Sequence, residues 1–590
     1  MNPILNKYLP RVEFSSYDDF IENYRVNVPD DFNFGYDIVD EWTKLEPDKL
    51  ALLWCDDRFQ TKRYTFADAK DLSNRAANVF LKLGIKKGDV VMLILKQRPE
   101  VWWCITALCK IGAICIPATY QLTSKDIIYR CDLANVKMIV TVDDDEVVNH
   151  IQNAKGQCTT LKTVAVVGDT ISQEARKTPV DFVNFQQEMA LASGNLEQVA
   201  NKSDEPVLIY FSSGTSGMPK MVLHDHTLAL GHIVTALYWQ HVQNNAIHWT
   251  QTDSGWAKFA WGKIYGQWIC GAAIGAYDTE KFVPALMLKA IETIRPVTFC
   301  APATIYRYLI KEDLSGTDFS FIQHASVAGE PLNPEVYHRI KQKTGLTIHE
   351  GFGQSEGSVL LANFGWDEVK PGSMGKPAPL YGIKLLDDND RECEKGEVGV
   401  IAVTGTHQKH PTGLFKAYYL DEETTATCWQ QDKGIYRTGD MAWCDGDGYY
   451  WFVGRRDDVI KCSGYRIGPF EVENALLEHP SVLECAVTAV ADPMRGQVVK
   501  ATIVLAKLFT PAEELKKELQ NHVKKVTAPY KYPRIVEFIE ELPKTISGKI
   551  RRNEIRKKDE FEVSEEKPYD KDFAEMVLQT EDGIKKGNNS

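Results

Sequence analysis

The sequence of 590 residues has no C-x-x-C pair, no excess of basic residues and no uninterrupted apolar run of membrane length. Its 13 cysteines are odd in number and scattered, which excludes a zinc ribbon or a thioredoxin-like site. Several lie in apolar surroundings, as in WWCITALCKIGAICIPA (102–118), and read as small core hydrophobes in a reducing compartment. The balance of 68 Lys and Arg against 81 Asp and Glu gives a net charge of -13 and excludes a nucleic-acid-coating surface. It leaves room for an anionic ligand in a local basic cleft. The most apolar stretch, 101–118, is interrupted by Lys110 and broken by Gly112 and Pro117, so a buried segment is expected there and no membrane span. The N-terminal residues, with Glu13, Asp18 and Asp19, have the pattern of neither a secretory signal nor an Arg-rich transit peptide, and a cytosolic soluble protein is expected.

What is present is ordinary globular composition, 44% hydrophobic and 25% charged. Between about 36 and 150, helical and strand patterns alternate: a helix over 66–84 with Gly at its end, DVVMLIL (89–95) and KMIVTV (137–142). This alternation predicts an α/β fold with buried, mostly parallel strands. After 457 the texture changes, with a helix from Pro469, strands in SVLECAVTAV and KATIVLA, and a helix over 510–526. That last helix is expected to open with a capping box of Thr510 and Glu513 and with Pro511 at its first position.

The strongest local signal is YFSSGTSGMPK, Tyr210 to Lys220, after the apolar run Val207–Ile209. Ser212, Ser213, Thr215 and Ser216, with Gly214, Gly217 and Lys220, make a loop whose backbone N–H groups can approach a polyphosphate. A Walker A loop is disfavoured, because the glycines are three apart, Lys220 follows Pro219, and MVLHDH continues like a strand.

Downstream stand AGEP (with Gly329, Glu330 and Pro331), EGFGQSEG (Glu350–Gly357), YRTGD (Tyr436–Asp440), GRRDDVIKCSGYRIGPFEVE (Gly454–Glu473) and PKTISGK (Pro543–Lys549). In order and spacing, these six motifs resemble the signature set of the adenylate-forming superfamily: acyl-CoA synthetases, luciferases and peptide-synthetase adenylation domains. The resemblance covers residues 40–555. GYRIGPFEVE, TAPYKYPR (527–534) and DPMRGQVVKA (492–501) look most like medium-chain acyl-CoA synthetases.

The resemblance implies an α/β protein with a large multi-subdomain N-terminal domain of mixed and parallel sheets (1–456), a small mobile α+β C-terminal domain (457–555) and a charged tail (556–590). It implies a reaction of ATP and a small carboxylic acid, short-branched to medium in chain length, with CoA as co-substrate and Mg²⁺ as cofactor. Self-association is left open. Lys549 matches the lysine that contacts the acyl carboxylate and α-phosphate. Glu356 matches the Mg²⁺ ligand, and Ser355 keeps a phosphate-binding hydroxyl. Asp440 and Arg455 correspond to ribose-contacting groups. Adenine is expected between AGEP and Glu350, Gly351, Phe352, Gly353 and Gln354, with Phe352 as an aromatic face. Asp457 matches the hinge, and Ser463, Gly464, Tyr465 and Arg466 the segment that reaches the CoA channel. Arg495, Lys524 and Arg534 match positions near CoA phosphates.

For the acyl pocket the resemblance points to Trp256, Phe259, Trp261 and Cys300. Gly353, where acetate-selective relatives carry Trp, implies room for a longer chain. Lys258 is expected to face a polar substrate or solvent. His224 and His226 invite a metal reading, but no further ligand cluster accompanies them, so a structural role is expected. Two other functions fit parts of this pattern: an adenylation enzyme serving a carrier protein or luciferase-like oxidation, and a silent nucleotide-binding regulator. Retention of Lys549, Glu356, Asp440 and Arg455 speaks against the regulator.

Overall fold

The computed structural model describes residues 2–172, 178–212, 219–408, 410–462, 465–493, 495–544 and 550–565. The chain divides into two compact units, Met1–Phe452 and Val453–Ser590, and the division falls inside the strand Tyr450–Arg455.

The larger unit holds two large sheets and a smaller antiparallel one. In the first sheet, Val90–Ile94 lies between Ile114–Pro117 and Val136–Val142, parallel to both, as the alternating pattern predicts. Pro206–Ser212 continues that sheet in parallel, and Lys220–Asp225 returns antiparallel to it. In the second sheet, Ile247–Thr250, Thr298–Ala301, His324–Val327 and Ile348–Phe352 run parallel in succession. The third sheet is built on Gly382–Leu386, Val398–Thr404 and Ile435–Cys444.

The helix Phe66–Lys82 begins where Thr65 and Asp68 cap each other's backbone N–H groups, and it ends before Gly84, whose φ of 86° is a left-handed conformation that glycine takes without strain. Glu100–Ile111 is buried on every side, and Lys110 within it is no exception. Its ammonium donates to Asp40 at 2.6 Å, Asn74 at 2.8 Å and Ser73 at 3.1 Å, while burial pulls its pKa below the usual lysine range. One apolar core spans the two large sheets, and the buried tryptophans in it donate their indole N–H to carbonyls: Trp42 to Trp268, Trp54 to Gln97 and Trp268 to Ala51.

The smaller unit has its own sheet, in which Val482–Asp492 and Gly496–Leu505 form a long antiparallel pair. The helix expected over 510–526 spans Glu513–Val526, with Ala512 as its N-cap and no side-chain cap. The Thr510–Glu513 capping box is therefore not formed. The helix starts two residues later than expected and buries Leu515, Leu519 and Val523 on one face, with Glu513 and Glu514 at the positive end of its dipole. The helix Arg552–Glu565 runs across residue 555, where a tail was expected to begin, because Asp559 is buried in an ion pair with Lys500. Among the described residues, no helix is long and apolar enough to cross a membrane.

Candidate active site

Ser212 and Lys220 are register partners in an antiparallel pair of strands, so the loop between them joins strand to strand, not strand to helix. Ser213, Gly214, Thr215, Ser216 and Gly217 lie outside the described residues, as do Ser463, Gly464 and Lys549. Lys220 holds its ammonium 4.9 Å from the centre of the Tyr418 ring.

The segment after Ile348–Phe352 is fixed by buried donors from separate parts of the chain. The Nε2–H of His224 donates to the Ser355 carbonyl at 2.7 Å, Phe415 N–H to Glu356 at 2.6 Å, and the Trp261 indole to Gly357 at 3.1 Å. Tyr381 hydroxyl meets Ser358 Oγ at 2.8 Å. Glu356 itself is buried, and its Oε1 accepts from the Tyr418 hydroxyl at 2.8 Å. Burial lowers the His224 imidazole to about 4, so the ring is neutral at neutral pH although its bond to the Ser355 carbonyl favours the protonated form.

Asp440, the expected ribose contact, follows a glycine in a pair common in turns. It lies instead in the strand Ile435–Cys444, where Thr438, Gly439 and Asp440 bulge opposite the single residue Ile401. Gly439 takes φ 78°, and Thr438 Oγ1 donates to the Ile401 carbonyl at 2.8 Å. A Gly-Asp pair signals a turn and a bulge equally, which is why the local sequence did not separate them. The bulge turns Asp440 toward Gln354, whose amide donates to Asp440 Oδ2 at 2.5 Å and whose Oε1 accepts from Tyr436 at 2.8 Å.

The remaining nucleotide candidates are distributed around this centre. Gly329 has φ 96°, and Glu330 is committed to Thr304 and Arg307, leaving Gly329–Pro331 to act through backbone. Glu350 is fully buried and its carboxyl is pushed up to about 8 by desolvation. Phe352 is half-buried with Phe452 at 6.3 Å, and Gly351 is buried in the same strand.

At the acyl candidates, a Cβ on Gly353 would come within 2.2 Å of Trp261. The space that a missing side chain was expected to leave for substrate is filled by the Trp261 ring. Phe259 and Cys300 are fully buried, Phe259 against Trp102 at 5.2 Å, and Trp256 is half-buried. Lys258 is partly buried and donates to the Ala328 carbonyl at 2.8 Å. His226 lies beyond the strand that carries His224, with its Nδ1 3.5 Å from Cys109 Sγ. Among the described residues, no group of three or more His, Cys, Asp or Glu is arranged to hold a metal.

In the smaller unit, the hairpin Ile460–Cys462 and Tyr465–Ile467 leaves Tyr465 and Arg466 exposed, and Tyr465 stacks on Tyr530 at 4.1 Å. Lys524 lies 4.1 Å over the Tyr532 ring, and Arg534 donates to the Tyr532 hydroxyl at 2.8 Å. Arg495 is tied to Asp492 in the turn between the two long strands. Asp457 is exposed just after the strand that ends at Arg455. Tyr418 was not among the sequence candidates: it touches Glu356 across 62 positions of chain, a contact no local pattern encodes.

A family model described as AMP-binding enzyme matches residues 39–419, and one described as AMP-binding enzyme C-terminal domain matches 471–549. The chain is 41% identical over 555 residues to the mitochondrial acyl-coenzyme A synthetase ACSM3 of Mus musculus, covering 92% of this chain and 94% of that protein. It is 41% identical over 540 residues to the mitochondrial acyl-coenzyme A synthetase ACSM4 of Homo sapiens, covering 90% and 91%. The solved structure of the anthranilate CoA ligase AuaEII in complex with anthranoyl-AMP superposes with a TM-score of 0.82 at 26% identity, over 91% of this chain and 99% of that one. The chain belongs to the AMP-binding enzyme family. It falls among the acyl-CoA synthetases, AMP-forming ligases of an acid to CoA. The cytosolic expectation is overturned, since both relatives are named as mitochondrial. Reduced cysteines separate a reducing interior from an oxidising exterior and do not distinguish one reducing compartment from another.

Proposed function

We propose that the enzyme activates short-branched to medium-chain carboxylic acids in two half-reactions. A carboxylate oxygen attacks the α-phosphorus of ATP, the α–β phosphoanhydride breaks, and pyrophosphate leaves. The CoA thiol then attacks the acyl carbon, the bond to AMP breaks, and the thiol proton passes to solvent. The observation that carries this reading is the convergence of Lys220 and Glu356 on Tyr418, next to the Gln354–Asp440 pair. A cation, a carboxylate and a ribose acceptor held in fixed positions suit a reaction that depends on positioning and electrostatic stabilisation of phosphates.

In this reading, Lys220 and the backbone at Ser212–Gly217 bind phosphate oxygens, Asp440 and Arg455 orient the ribose, and Lys549 offsets negative charge between the two reacting anions. Glu356 would hold Mg²⁺, and its buried carboxylate with one oxygen already oriented fits a cation that takes one or two protein carboxylates. When bound, the ion supplies charge neutralisation on the phosphates. The preference for apolar acyl chains is supported by the buried, apolar character of Phe259 and Trp261, the latter against Gly353. The smaller unit's Tyr465, Arg466, Arg495, Lys524 and Arg534 serve CoA. A mitochondrial setting is supported by the relatives' names.

The test is pyrophosphate release and thioester formation across acids from acetate to dodecanoate, with CoA as acceptor. Turnover is expected to peak at short-branched to medium chains, and no turnover with any acid would overturn the reading. Lys549→Ala is expected to slow adenylation by about 100-fold, with conversion of supplied acyl-AMP little changed; equal losses in both halves would remove Lys549 from its role.

A further inference from the structure

Tyr418 performs two tasks from one side chain. Its hydroxyl donates to Glu356 Oε1 at 2.8 Å, and its ring lies 4.9 Å from the Lys220 ammonium. Both Tyr418 and Glu356 are more than nine-tenths buried. The residue is rigidly set. Its strand Ala417–Tyr418 pairs with Lys220–Asp225, its own N–H donates to Thr425 Oγ1 at 2.9 Å, and the Phe415 N–H three residues earlier donates to the Glu356 carbonyl. The same short segment thus holds Glu356 by backbone and by carboxylate while it holds Lys220 by an aromatic face.

We propose that Tyr418 is a positioning residue for phosphate and cation binding, which orients the Glu356 carboxylate through its hydroxyl and the Lys220 ammonium through its ring. A carboxylate can rotate about its last bond. A donor fixed on Oε1 removes that freedom and sets the direction of Oε2, so less reorganisation accompanies cation binding. A cation over an aromatic face is held without neutralising its charge, which leaves the ammonium attractive to phosphate. The two arms are chemically separable: phenylalanine keeps the ring and loses the hydroxyl, and leucine loses both.

The inference rests on the reading of Glu356 as the Mg²⁺ holder and Lys220 as a phosphate contact. It is tested on the full-length enzyme by measuring ATP binding in EDTA and in saturating Mg²⁺, with the Mg²⁺ concentration for half-maximal pyrophosphate exchange. Tyr418→Phe is expected to leave ATP affinity in EDTA near wild type and to raise the Mg²⁺ requirement about tenfold, the effect of losing one charge-assisted hydrogen bond. Tyr418→Leu is expected to raise the Mg²⁺ requirement similarly and also to weaken ATP binding in EDTA by several-fold. Thioester formation from supplied acyl-AMP should stay near wild type in both. Wild-type Mg²⁺ dependence in Tyr418→Phe, or equal losses in both half-reactions, would overturn the proposal. Glu356→Gln distinguishes the two levels: if that change leaves the Mg²⁺ requirement unaltered, the reading of Glu356 has failed and the coupling falls with it.

Discussion

Lys110 shows how a single charge survives in an apolar helix. Its ammonium is completely buried and depends on Asp40, Ser73 and Asn74. Removing one partner of such a pair leaves the other charge uncompensated, so Lys110→Met is expected to cost about 3 kcal/mol, with much of it recovered by adding Asp40→Leu. Thermal unfolding of both variants checks this; a single variant as stable as wild type would show that Asp40 finds water. In the sequence, Lys110 read only as an interruption of an apolar run, because the partner carboxylate lies 70 positions away. Gly353 carries a similar lesson. Even alanine there would meet Trp261 at 2.2 Å, so Gly353→Ala is expected to move the indole and change the ranking of acids by kcat/KM. An unchanged ranking would separate Trp261 from acyl selection.

At the scale of elements, the bulge at Thr438–Asp440 makes a prediction of its own. Gly439 at φ 78° tolerates no Cβ without strain of about 1–2 kcal/mol. Gly439→Ala is expected to relax the bulge, shift Asp440 and raise the KM for ATP several-fold more than that for the acid; equal changes in both would argue against a ribose role. The parallel strands of the first sheet, the helix ending at Gly84 and the motif segments were legible because their signals are local: periodicity, caps and spacing. The bulge and the late start of Glu513–Val526 were not, because pairing with Val398–Thr404 and burial of Leu515, Leu519 and Val523 decided them. The same holds within the site. Lys220, Glu356 and Asp440 were proposed from their motifs, whereas the groups that hold them come from distant elements and carry no local signal.

For the whole molecule, burial holds a set of imidazoles neutral: His224, His226 and His349 at about 4, His232 and His248 at about 3, with His241 and His324 also lowered. His324 stacks on His241 with ring centres 4.2 Å apart, and His349 lies tilted against His324 at 4.3 Å. Each folded pKa lies below the unfolded value of 6.5, so between these values the unfolded chain binds more protons. Stability is therefore complete above pH 6.5 and is lost as pH falls toward 4, by up to about 1.4 kcal/mol per pH unit for each such group. Thermal midpoints are expected to fall steeply below pH 6.5; a flat profile from pH 7 to 5 would contradict the neutral cluster. Glu350 has the opposite sign. Its carboxyl, raised to about 8, costs stability as pH rises from 4.5 through 8, so Glu350→Gln is expected to stabilise the protein above pH 8.

The donors to the Ser355, Glu356 and Gly357 carbonyls come from residues 224, 415 and 261. During synthesis, the chain that carries Glu356 leaves the ribosome before the segment at 415–418 that must hold it. Contacts of such sequence separation form late, after their loop-closure entropy has been met. The arrangement around Glu356 therefore belongs to the last stage of folding of the larger unit.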